Sequence, residues 1–407
     1  MIVIGSGAAG MMAAITAAKE DKKVLVLEKL SNIGAKLKAT GGGRCNLTNT
    51  LDNETFMSHF GRNGKFMMPA LQAFDHTALQ AFFRNIGVES HAPDGFRVFP
   101  LTHSATTITT AMQQEMQRLH VNVRCNQRVH ALHCENGTVT GIQTQTDTFT
   151  ASKVIIATGG KGYPVLGAEG DGYALAASVG HRITPLHPAM MPLKTKEKWV
   201  ANCRADTIAK VELRVDMKKY KNLRATGDLI FTKEGIRGPV VLDFSREITP
   251  LLAKFEEVPL LANFTKGMNE EQIQAHFKKT LSSHPEYTTL ELLGTLLPHS
   301  LSLELCKMAK VEPERTLAKQ EGQARDKLFK LLVWTPLTVN GHDGFKMAMI
   351  TRGGISLKEI DPYTMESKKC AGLYFCGEVV DLDGPCGGYN LQWSFASGYL
   401  AGRAVVA

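Results

Sequence analysis

Short apolar runs alternate with a helix-like stretch at the start of the chain. Residues 2–4 are Ile-Val-Ile, residues 11–19 are rich in alanine, and residues 23–27 are again mostly apolar. Buried strands of a parallel sheet read as short apolar runs, and a helix connects them. The pattern therefore predicts a strand, a helix and a second strand in one βαβ unit. Two later apolar runs, 153–157 and 374–376, lead into glycine turns and predict further strands.

Alternation of apolar and polar residues marks the middle of the chain. A strand meander is predicted over 121–124, 127–132 and 138–143. After Pro188, short alternating stretches at 191–194, 208–215, 227–232 and 258–264 predict a small antiparallel sheet or barrel. Residues 268–332 then turn helical, with helices predicted over 270–281, 289–297, 301–308 and 315–332. These changes predict an insertion that returns to the first domain near Phe345.

The glycines after the first strand have separate physical tasks. Gly5 allows a tight turn, Gly7 lets the backbone approach a diphosphate, and Gly10 lets the helix pack close to the strand. The diphosphate would lie on the helix N-terminus, where free amides favour negative charge. Glu28 follows the second strand at a distance suited to a carboxylate that binds ribose hydroxyls. Together these residues predict a dinucleotide site.

Two more glycine-rich segments fit the same site and point to flavin adenine dinucleotide (FAD). Residues 40–49 read Thr-Gly-Gly-Gly-Arg-Cys-Asn-Leu-Thr-Asn, a flexible loop with polar and cationic side chains. Residues 384–394 open a helix that is expected to run to Ala407, and its N-terminus could face the flavin pyrimidine edge. The glycines at 160–172 do not form a second fingerprint. A nicotinamide cofactor, NAD(P)H, is therefore expected only as a transient electron donor.

Composition narrows the class of protein. The chain has 407 residues, of which 43% are hydrophobic and 21% charged, as in a globular protein with more than one domain. The net charge of +8 comes from scattered basic residues; Lys218, Lys219 and Lys221 form the one notable cluster. We expect no stable nucleic-acid partner and a small-molecule substrate.

Cysteine spacing and hydropathy carry further expectations. The eight cysteines include no C-x-x-C pair, so neither a zinc site nor a dithiol relay is expected. No stretch approaches the ~20 apolar residues of a membrane span. A reducing cytoplasm is the expected setting.

Five motifs together resemble the YhiN/BaiN-like family of NAD(P)/FAD-dependent flavoproteins. They are residues 5–10, 40–49, 227–239, 351–355 and 377–392. The resemblance covers nearly the whole chain and implies an α/β fold, with a discontinuous Rossmann-like FAD-binding domain and an inserted antiparallel β-barrel and small helical domain. We assign residues 1–188 and 346–407 to the FAD domain, 189–264 and 331–345 to the barrel, and 265–330 to the helical domain. The chain departs from the family pattern at Gly162 and at Ala168-Glu169.

The candidate site residues come from these motifs, from the end of the second strand, from the meander and from the glycine turns that follow residue 156. The predicted cofactor contacts are Gly5, Gly7, Ala8, Ala9, Gly10, Glu28, Lys29, Lys36, Gly43, Arg44, Cys45, Asn46, Val129, Ala157, Thr158, Gly159, Gly377, Glu378, Asp381, Gly388, Tyr389, Asn390, Leu391 and Gln392. The predicted catalytic residues are Tyr163, Arg44 and Asn390, with Tyr163 as the candidate for proton transfer. No metal ligand is predicted.

The expected reaction is hydride transfer at the flavin N5 atom. Two directions are open: from an amine or alcohol carbon onto FAD, as in an oxidase that uses oxygen, or from reduced FAD onto an activated double bond. Another class of function is an FAD-dependent enzyme that modifies tRNA. A third is a flavoprotein whose FAD is structural or sensory.

Overall fold

The computed structural model describes residues 1–406 and divides into two compact units. Unit 1 comprises 1–188 and 348–407, and unit 2 comprises 189–347. Among the described residues, no helix combines the length and apolar character needed to cross a bilayer.

Residues 1–406 form thirteen α-helices and nineteen strands, numbered in chain order. The helices are α1 Ala8–Ala18, α2 Ala35–Ala39, α3 Asn53–Ser58, α4 Met68–Ala73, α5 His76–Asn85, α6 Ala105–Arg118, α7 Asp171–Ser178, α8 Pro239–Phe255, α9 Glu270–Ser283, α10 Thr289–Gly294, α11 His299–Ala309, α12 Gly322–Val333 and α13 Tyr389–Ala404. The strands are β1 Ile2–Ile4, β2 Leu25–Leu27, β3 Thr48–Asn49, β4 Ser90–His91, β5 Arg97–Pro100, β6 Asn122–Arg124, β7 Val129–Glu135, β8 Thr138–Thr144, β9 Thr148–Thr150, β10 Val154–Ile156, β11 His187–Ala189, β12 Leu193–Thr195, β13 Thr207–Val215, β14 Arg224–Phe231, β15 Gly235–Arg237, β16 Val258–Asn263, β17 Thr335–Gly341, β18 Ile350–Arg352 and β19 Leu373–Phe375.

A five-stranded sheet forms the centre of unit 1. Its strand order is β19-β10-β1-β2-β6, and every neighbouring pair is parallel. The apolar runs at the start of the chain are therefore buried strands. Their buried side chains and helix α1 belong to one continuous apolar core. The predicted meander is also present, as the antiparallel sheet β7-β8-β9.

Helix α1 packs against helix α13 at very short range. Every residue of α1 is buried, as expected of a helix that is apolar on all sides. A Cβ atom at Gly398 would lie 2.3 Å from the Ala9 carbonyl oxygen, and one at Gly402 would lie 2.6 Å from the Ala13 carbonyl oxygen. Two glycines one helical turn apart thus allow the helix backbones to touch. This contact fixes the N-termini of both helices relative to each other.

Unit 2 contains a closed barrel and a group of helices. The barrel order is β12-β15-β14-β13-β16-β17, and its neighbouring strands are antiparallel. Helices α9 to α12 share a second apolar core with the barrel. The α/β fold with a Rossmann-type sheet, an antiparallel barrel and helical regions is confirmed.

One predicted helix begins later than expected. The pattern predicted a helix over 315–332, but α12 begins at Gly322. The Gln320 side chain accepts from the Glu312 amide at 3.0 Å and donates to the Glu312 carbonyl at 2.6 Å. These bonds hold 312–320 as a loop that contains only a short 3-10 helix, Leu317–Lys319, in place of the first turns of an α-helix. The short strands and helices of 48–118 were not predicted, although α5 buries Leu79, Phe82 and Phe83 on one face.

His181 is buried beside strand β19 and is expected to make stability depend on pH. Its Nε2 atom lies 2.7 Å from the Ser367 hydroxyl, its Nδ1 atom lies 3.3 Å from a Glu359 carboxylate oxygen, and its ring meets the Phe375 ring edge-on at 4.8 Å. Burial lowers the pKa of the imidazole, although Glu359 opposes the shift. The unfolded chain, with a His pKa of about 6.5, then binds more protons below that pH than the fold does.

Stability should therefore fall as pH decreases from 7.5 to 5.5. A His181→Phe variant keeps a ring against Phe375 but cannot titrate, so its unfolding midpoint should fall less over this interval. The midpoints are measured by thermal unfolding at both pH values. His130→Gln, at an exposed position of β7, is the control and should behave as the wild type. An equal pH response in wild type and His181→Phe would contradict the assignment.

Candidate cofactor site

A cavity lies at the carboxyl ends of the parallel strands in unit 1. It is lined by residues at the ends of four strands: Ile4 ends β1, Leu27 ends β2, Ala157 follows β10 and Cys376 follows β19. Its space is about 1250 Å³, including the part open to solvent. Ligands of open α/β sheets bind in this position.

The glycine turn forms one wall of the cavity. Gly5 has φ of +98°, and a Cβ there would lie 2.6 Å from the Ala157 carbonyl oxygen. A Cβ at Gly10 would lie 2.0 Å from the Gly5 carbonyl oxygen. Gly7 differs, because no heavy atom lies within 4 Å of its Cβ position and it lines the cavity. Gly5 and Gly10 thus shape the turn, whereas Gly7 leaves room for a ligand at the N-terminus of α1.

Glu28 is fixed at the wall by three hydrogen bonds. One carboxylate oxygen accepts from the Ser6 amide at 3.0 Å and from the Ser6 hydroxyl at 2.5 Å. The other accepts from the Leu30 amide at 2.9 Å. The side chain is oriented before any ligand arrives, as a carboxylate that binds ribose hydroxyls should be.

Four charged side chains form a closed ring of ion pairs at the Glu28 end of the cavity. Lys29 lies 2.9 Å from Glu169 and 2.6 Å from Asp171. Arg128 lies 2.7 Å from Glu169 and 2.5 Å from Asp171. Each cation therefore contacts both carboxylates. The ring ties together three segments that are distant in sequence, and Lys29, Arg128 and Asp171 line the cavity.

A further ion pair lies on the wall beside strand β18. Lys36 donates to one Glu378 carboxylate oxygen at 2.8 Å, and the Thr351 amide donates to the other at 2.9 Å. The side chains of Lys36 and Glu378 are 24% and 17% exposed. Both residues line the cavity, so they present fixed polar groups to its interior.

Most of the predicted contacts meet at this cavity. The predicted residues that line it are Gly5, Gly7, Ala8, Ala9, Glu28, Lys29, Lys36, Val129, Ala157, Thr158, Gly159, Gly377, Glu378, Asn390 and Leu391. The predicted residues outside the lining are Gly10, Gly43, Arg44, Cys45, Asn46, Tyr163, Asp381, Gly388, Tyr389 and Gln392.

Several residues outside the lining stabilise the loops behind the wall. The Asn46 amide, oriented to satisfy its neighbours, donates to the Thr48 carbonyl and accepts from the Gly388 amide. Gln392 donates to the Phe74 carbonyl at 2.9 Å, and Tyr389 is buried against aromatic rings. The Asn46 contacts therefore connect the 40–49 loop to the start of helix α13, and the other two residues connect α13 to the segment 56–74.

The remaining outlying residues have their own surroundings. Cys45 is fully buried, and burial raises the pKa of its thiol to about 12, which suppresses the reactive thiolate. Burial also raises the pKa of the Asp381 carboxyl. Tyr163 has a left-handed backbone conformation at the start of a short 3-10 helix. Arg44 is exposed, and its guanidinium lies over the Phe99 ring.

Asn390 lines the cavity, but its side chain is hydrogen-bonded to the loop that precedes α13. The side-chain oxygen accepts from the Gly384 amide at 2.8 Å, and the side-chain nitrogen donates to the Gly384 carbonyl at 2.8 Å. This geometry suits a positioning residue that holds the loop before α13. A role in proton transfer has no support from these contacts.

Sequence reasoning missed a part of the wall. The missed lining residues include Ser6, Leu37, Thr40, Gln127, Arg128, Asp171, Met349, Ile350, Leu382, Trp393 and Ser394. Met349 and Ile350 directly precede the 351–355 motif, and Trp393 and Ser394 directly follow the 377–392 motif. Proximity in sequence to these motifs could therefore have identified these four residues as part of the wall.

A parallel sheet with a glycine turn, an oriented carboxylate and a cavity at its carboxyl edge defines a dinucleotide-binding protein. Residues 1–404 match the family model described as HI0933-like protein Rossmann domain. The chain belongs to this HI0933-like family, and the resemblance stated from its motifs is confirmed. It is an FAD-dependent oxidoreductase.

Two kinds of curated relative align with the chain from end to end. The 3-dehydro-bile acid delta(4,6)-reductase of Clostridium scindens is 34% identical over 406 residues, which cover 99% of this chain and 98% of that protein. The ribosomal RNA dihydrouridine synthase of Escherichia coli is 27% identical, with 100% and 98% covered. Among solved structures, 3-ketosteroid delta1-dehydrogenase from Sterolibacterium denitrificans shares the fold, with a TM-score of 0.54, 12% identity and coverage of 100% and 98%.

The ion-pair ring leads to a prediction about FAD release. Glu169→Gln should leave Lys29 and Arg128 with one carboxylate between them and loosen the three segments. Exposed ion-pair networks stabilise a folded structure by about 1 kcal/mol. If the variant loses this amount, FAD should dissociate about fivefold faster. Added salt should accelerate release from wild type more than from the variant. The rate is followed by the recovery of flavin fluorescence on dilution.

Glu20→Gln, at an exposed residue after α1, serves as the matched control and should release FAD at the wild-type rate. Equal rates for Glu169→Gln and wild type, at both low and high salt, would show that the ring does not limit release.

Proposed function

We propose that the protein reduces a ring carbon–carbon double bond conjugated to a carbonyl group. The observation that carries the proposal is the shared chemistry in the names of its two kinds of full-length relative. A delta(4,6)-reductase acting on a 3-dehydro (3-keto) compound saturates a double bond conjugated to a ketone. Dihydrouridine is likewise uridine with two hydrogens added across a double bond next to a carbonyl. One flavin chemistry serves both substrates.

The cavity supports this role through its shape and fixed polar groups. Gly7 and the first turn of α1 would hold the diphosphate, and Glu28 the adenosine ribose. The N-terminus of α13, with Asn390 beside it, would face the flavin end and favour negative charge there. When bound, FAD supplies the hydride from its N5 atom. The Lys36–Glu378 pair would fix polar groups between these two ends.

NAD(P)H is the proposed electron donor. The chain carries one glycine fingerprint, and FAD occupies it in this proposal. A reduced nicotinamide would therefore bind transiently, transfer its hydride to the flavin and leave before the substrate binds. Oxidation of an amine with oxygen as acceptor would need no such donor.

An anaerobic experiment separates these directions. The FAD-loaded protein is mixed with NADH, NADPH or a panel of small amines, and flavin bleaching is followed at visible wavelengths. Bleaching by a nicotinamide, followed by recovery on adding a 4-ene-3-ketosteroid, supports the reductase; a steroid alkene without the ketone is the control. Bleaching by an amine alone would establish the oxidase and reject the proposal. No bleaching by any reductant would indicate a structural or sensory FAD.

In a second candidate function, the double bond that is reduced belongs to a uracil base of RNA. The relatives named as ribosomal RNA dihydrouridine synthases suggest it, and one surface feature favours it. Two guanidinium groups lie over the same ring, Arg44 at 5.6 Å and Arg97 at 6.0 Å from the Phe99 centroid. The His103 ring lies 5.6 Å from Phe99, and the His91 Nε2 atom is 2.9 Å from the His103 Nε2 atom. Such a patch can bind phosphate groups.

The patch adjoins the cofactor cavity. Arg44 follows the triple glycine, whose preceding residue Thr40 lines the cavity. Within residues 1–406, Arg44 has no carboxylate partner; its Nε atom donates to the Gly41 carbonyl at 3.3 Å. Arg97 differs, because Asp94 binds it at 2.6 Å. Arg44 is therefore the residue most available to a phosphate.

Arg44→Gln is predicted to weaken binding of uridine-containing ribosomal RNA. Loss of one phosphate contact should lower affinity several-fold and reduce the salt dependence of binding by about one ion. Affinity is measured by fluorescence anisotropy across a salt series. Arg204→Gln, at an exposed position in unit 2, is the control. If wild type binds RNA no better than an unrelated basic protein does, the RNA candidate is rejected and the small-molecule ketone remains.

A further inference from the structure

Two cysteines that are far apart in sequence lie side by side in unit 1. The Sγ atoms of Cys134 and Cys370 are 3.1 Å apart. Both cysteines are free thiols. Cys134 is exposed near the end of β7, and Cys370 is 2% exposed in the turn before β19. Their separation of 236 residues explains why cysteine spacing along the sequence shows no such pair.

The backbone already holds the two segments together. The Ala371 amide donates to the Gly137 carbonyl at 2.8 Å, and the Val139 amide donates to the Ala371 carbonyl at 2.9 Å. A disulfide needs a sulfur–sulfur distance of about 2.05 Å. Closing the gap therefore requires the two sulfur atoms to approach each other by about 1 Å.

We propose that Cys134 and Cys370 are a site of reversible oxidation that takes a low-molecular-weight disulfide as its oxidant. The Cys134 thiolate attacks one sulfur of the small disulfide, forms a mixed disulfide and releases one small thiolate. The Cys370 sulfur then attacks the Cys134 sulfur and releases the second small thiolate, and solution protons complete both thiols. Two protein thiols lose two electrons, and one small disulfide is reduced to two thiols.

Exposure assigns these roles. The attacking thiol must meet the small disulfide in solvent, and of the two only Cys134 is exposed. Burial, and the neighbouring Cys134, raise the pKa of the Cys370 thiol to about 12, so Cys370 is a poor first nucleophile. It is placed to attack second, because its sulfur already lies 3.1 Å from the Cys134 sulfur, and the part of the raised pKa that Cys134 causes is lost once Cys134 is in the mixed disulfide.

The bond would join two elements that both reach the cofactor cavity. Strand β7 begins at Val129, and strand β19 leads into Cys376 and Gly377; these three residues line the cavity. A crosslink across 236 residues restricts the unfolded chain strongly, so oxidation should stabilise the folded protein. Exposure to oxidised thiols would then strengthen the enclosure of FAD.

The test uses the FAD-loaded full chain with oxidised glutathione as the probe. Free thiols are then alkylated, and non-reducing digestion with mass spectrometry identifies the Cys134–Cys370 crosslink. We expect one crosslinked peptide pair and a rise of roughly 5 °C in the unfolding midpoint. Dithiothreitol should reverse both changes.

Cys134→Ser should lose the crosslink and the midpoint rise, while Cys125→Ser, at a partly exposed cysteine, should keep both. The untreated Cys134→Ser protein should match the untreated wild type, because the residue is exposed. Stable glutathione adducts on Cys134 without a crosslink, or full alkylation of both thiols after treatment, would overturn the proposal. So would an equal midpoint rise in Cys134→Ser.

Discussion

Gly7→Val is expected to abolish FAD binding while the unloaded protein keeps its fold. Gly7 has φ of −72° and ψ of −172°, which any residue can adopt. Apart from its two chain neighbours, no heavy atom of the protein lies within 4 Å of its Cβ position, so a Cβ there meets no neighbour. It would instead occupy the space at the N-terminus of α1. Displacing a diphosphate from that N-terminus should cost about 3 kcal/mol or more, which weakens FAD binding at least about 100-fold.

The measurement is FAD titration by flavin fluorescence, together with thermal unfolding of the FAD-free protein. Gly10→Ala provides the contrast, because its Cβ would lie 2.0 Å from the Gly5 carbonyl oxygen. That variant should lose stability even without FAD. Wild-type FAD affinity in Gly7→Val would show that the diphosphate does not lie at this turn.

Gly398→Val should have the largest effect on stability. The Cβ position at Gly398 lies 2.3 Å from the Ala9 carbonyl oxygen, so a side chain there must push α13 away from α1. Overpacking of this kind costs about 3 kcal/mol. FAD affinity should fall as well, because Ala9 at the start of α1 and Asn390 at the start of α13 both line the cavity.

Chemical denaturation of the FAD-free protein measures this loss. Gly322→Ala is the matched control: Gly322 is also in a helix, α12, but no atom lies within 4 Å of its Cβ position. That substitution should be neutral or slightly stabilising. A Gly398→Val protein as stable as wild type would mean that the two helices separate at little cost.

The sequence predicted the parts of the fold that depend on local pattern. Apolar runs such as 2–4 and 153–157 are typical of buried strands, and residues 2–4 and 154–156 lie in the parallel sheet. The predicted start of helix α12 was wrong, because the Gln320 side chain forms hydrogen bonds to the Glu312 backbone that compete with helix formation. Alternating strands suit an open antiparallel sheet and a closed barrel equally well. The sequence therefore predicted both arrangements and could not decide between them.

The candidate site shows the same division. Glycine and carboxylate positions near one strand end, such as Gly7 and Glu28, could be predicted because their spacing along the chain is short. The contact between Lys29 and Asp171 in the ion-pair ring could not be predicted, because 142 residues separate them in sequence. Nor could the sequence show that the Asn390 side chain is hydrogen-bonded to the Gly384 backbone. Motif membership predicts which residues are near the site, but not whether a side chain faces the ligand or the loop behind it.

The pairing of α1 with α13 also sets the order of events during synthesis on the ribosome. Helix α1 and strand β10 leave the ribosome first, but their partners α13 and β19 follow only after the 189–347 unit. At translation rates of 5–20 residues per second, this unit delays them by roughly ten seconds or more. During that interval the nascent chain carries an uncovered apolar helix and an unpaired strand edge. The cavity is also incomplete in this interval, because Cys376, Gly377 and Asn390 form part of its wall.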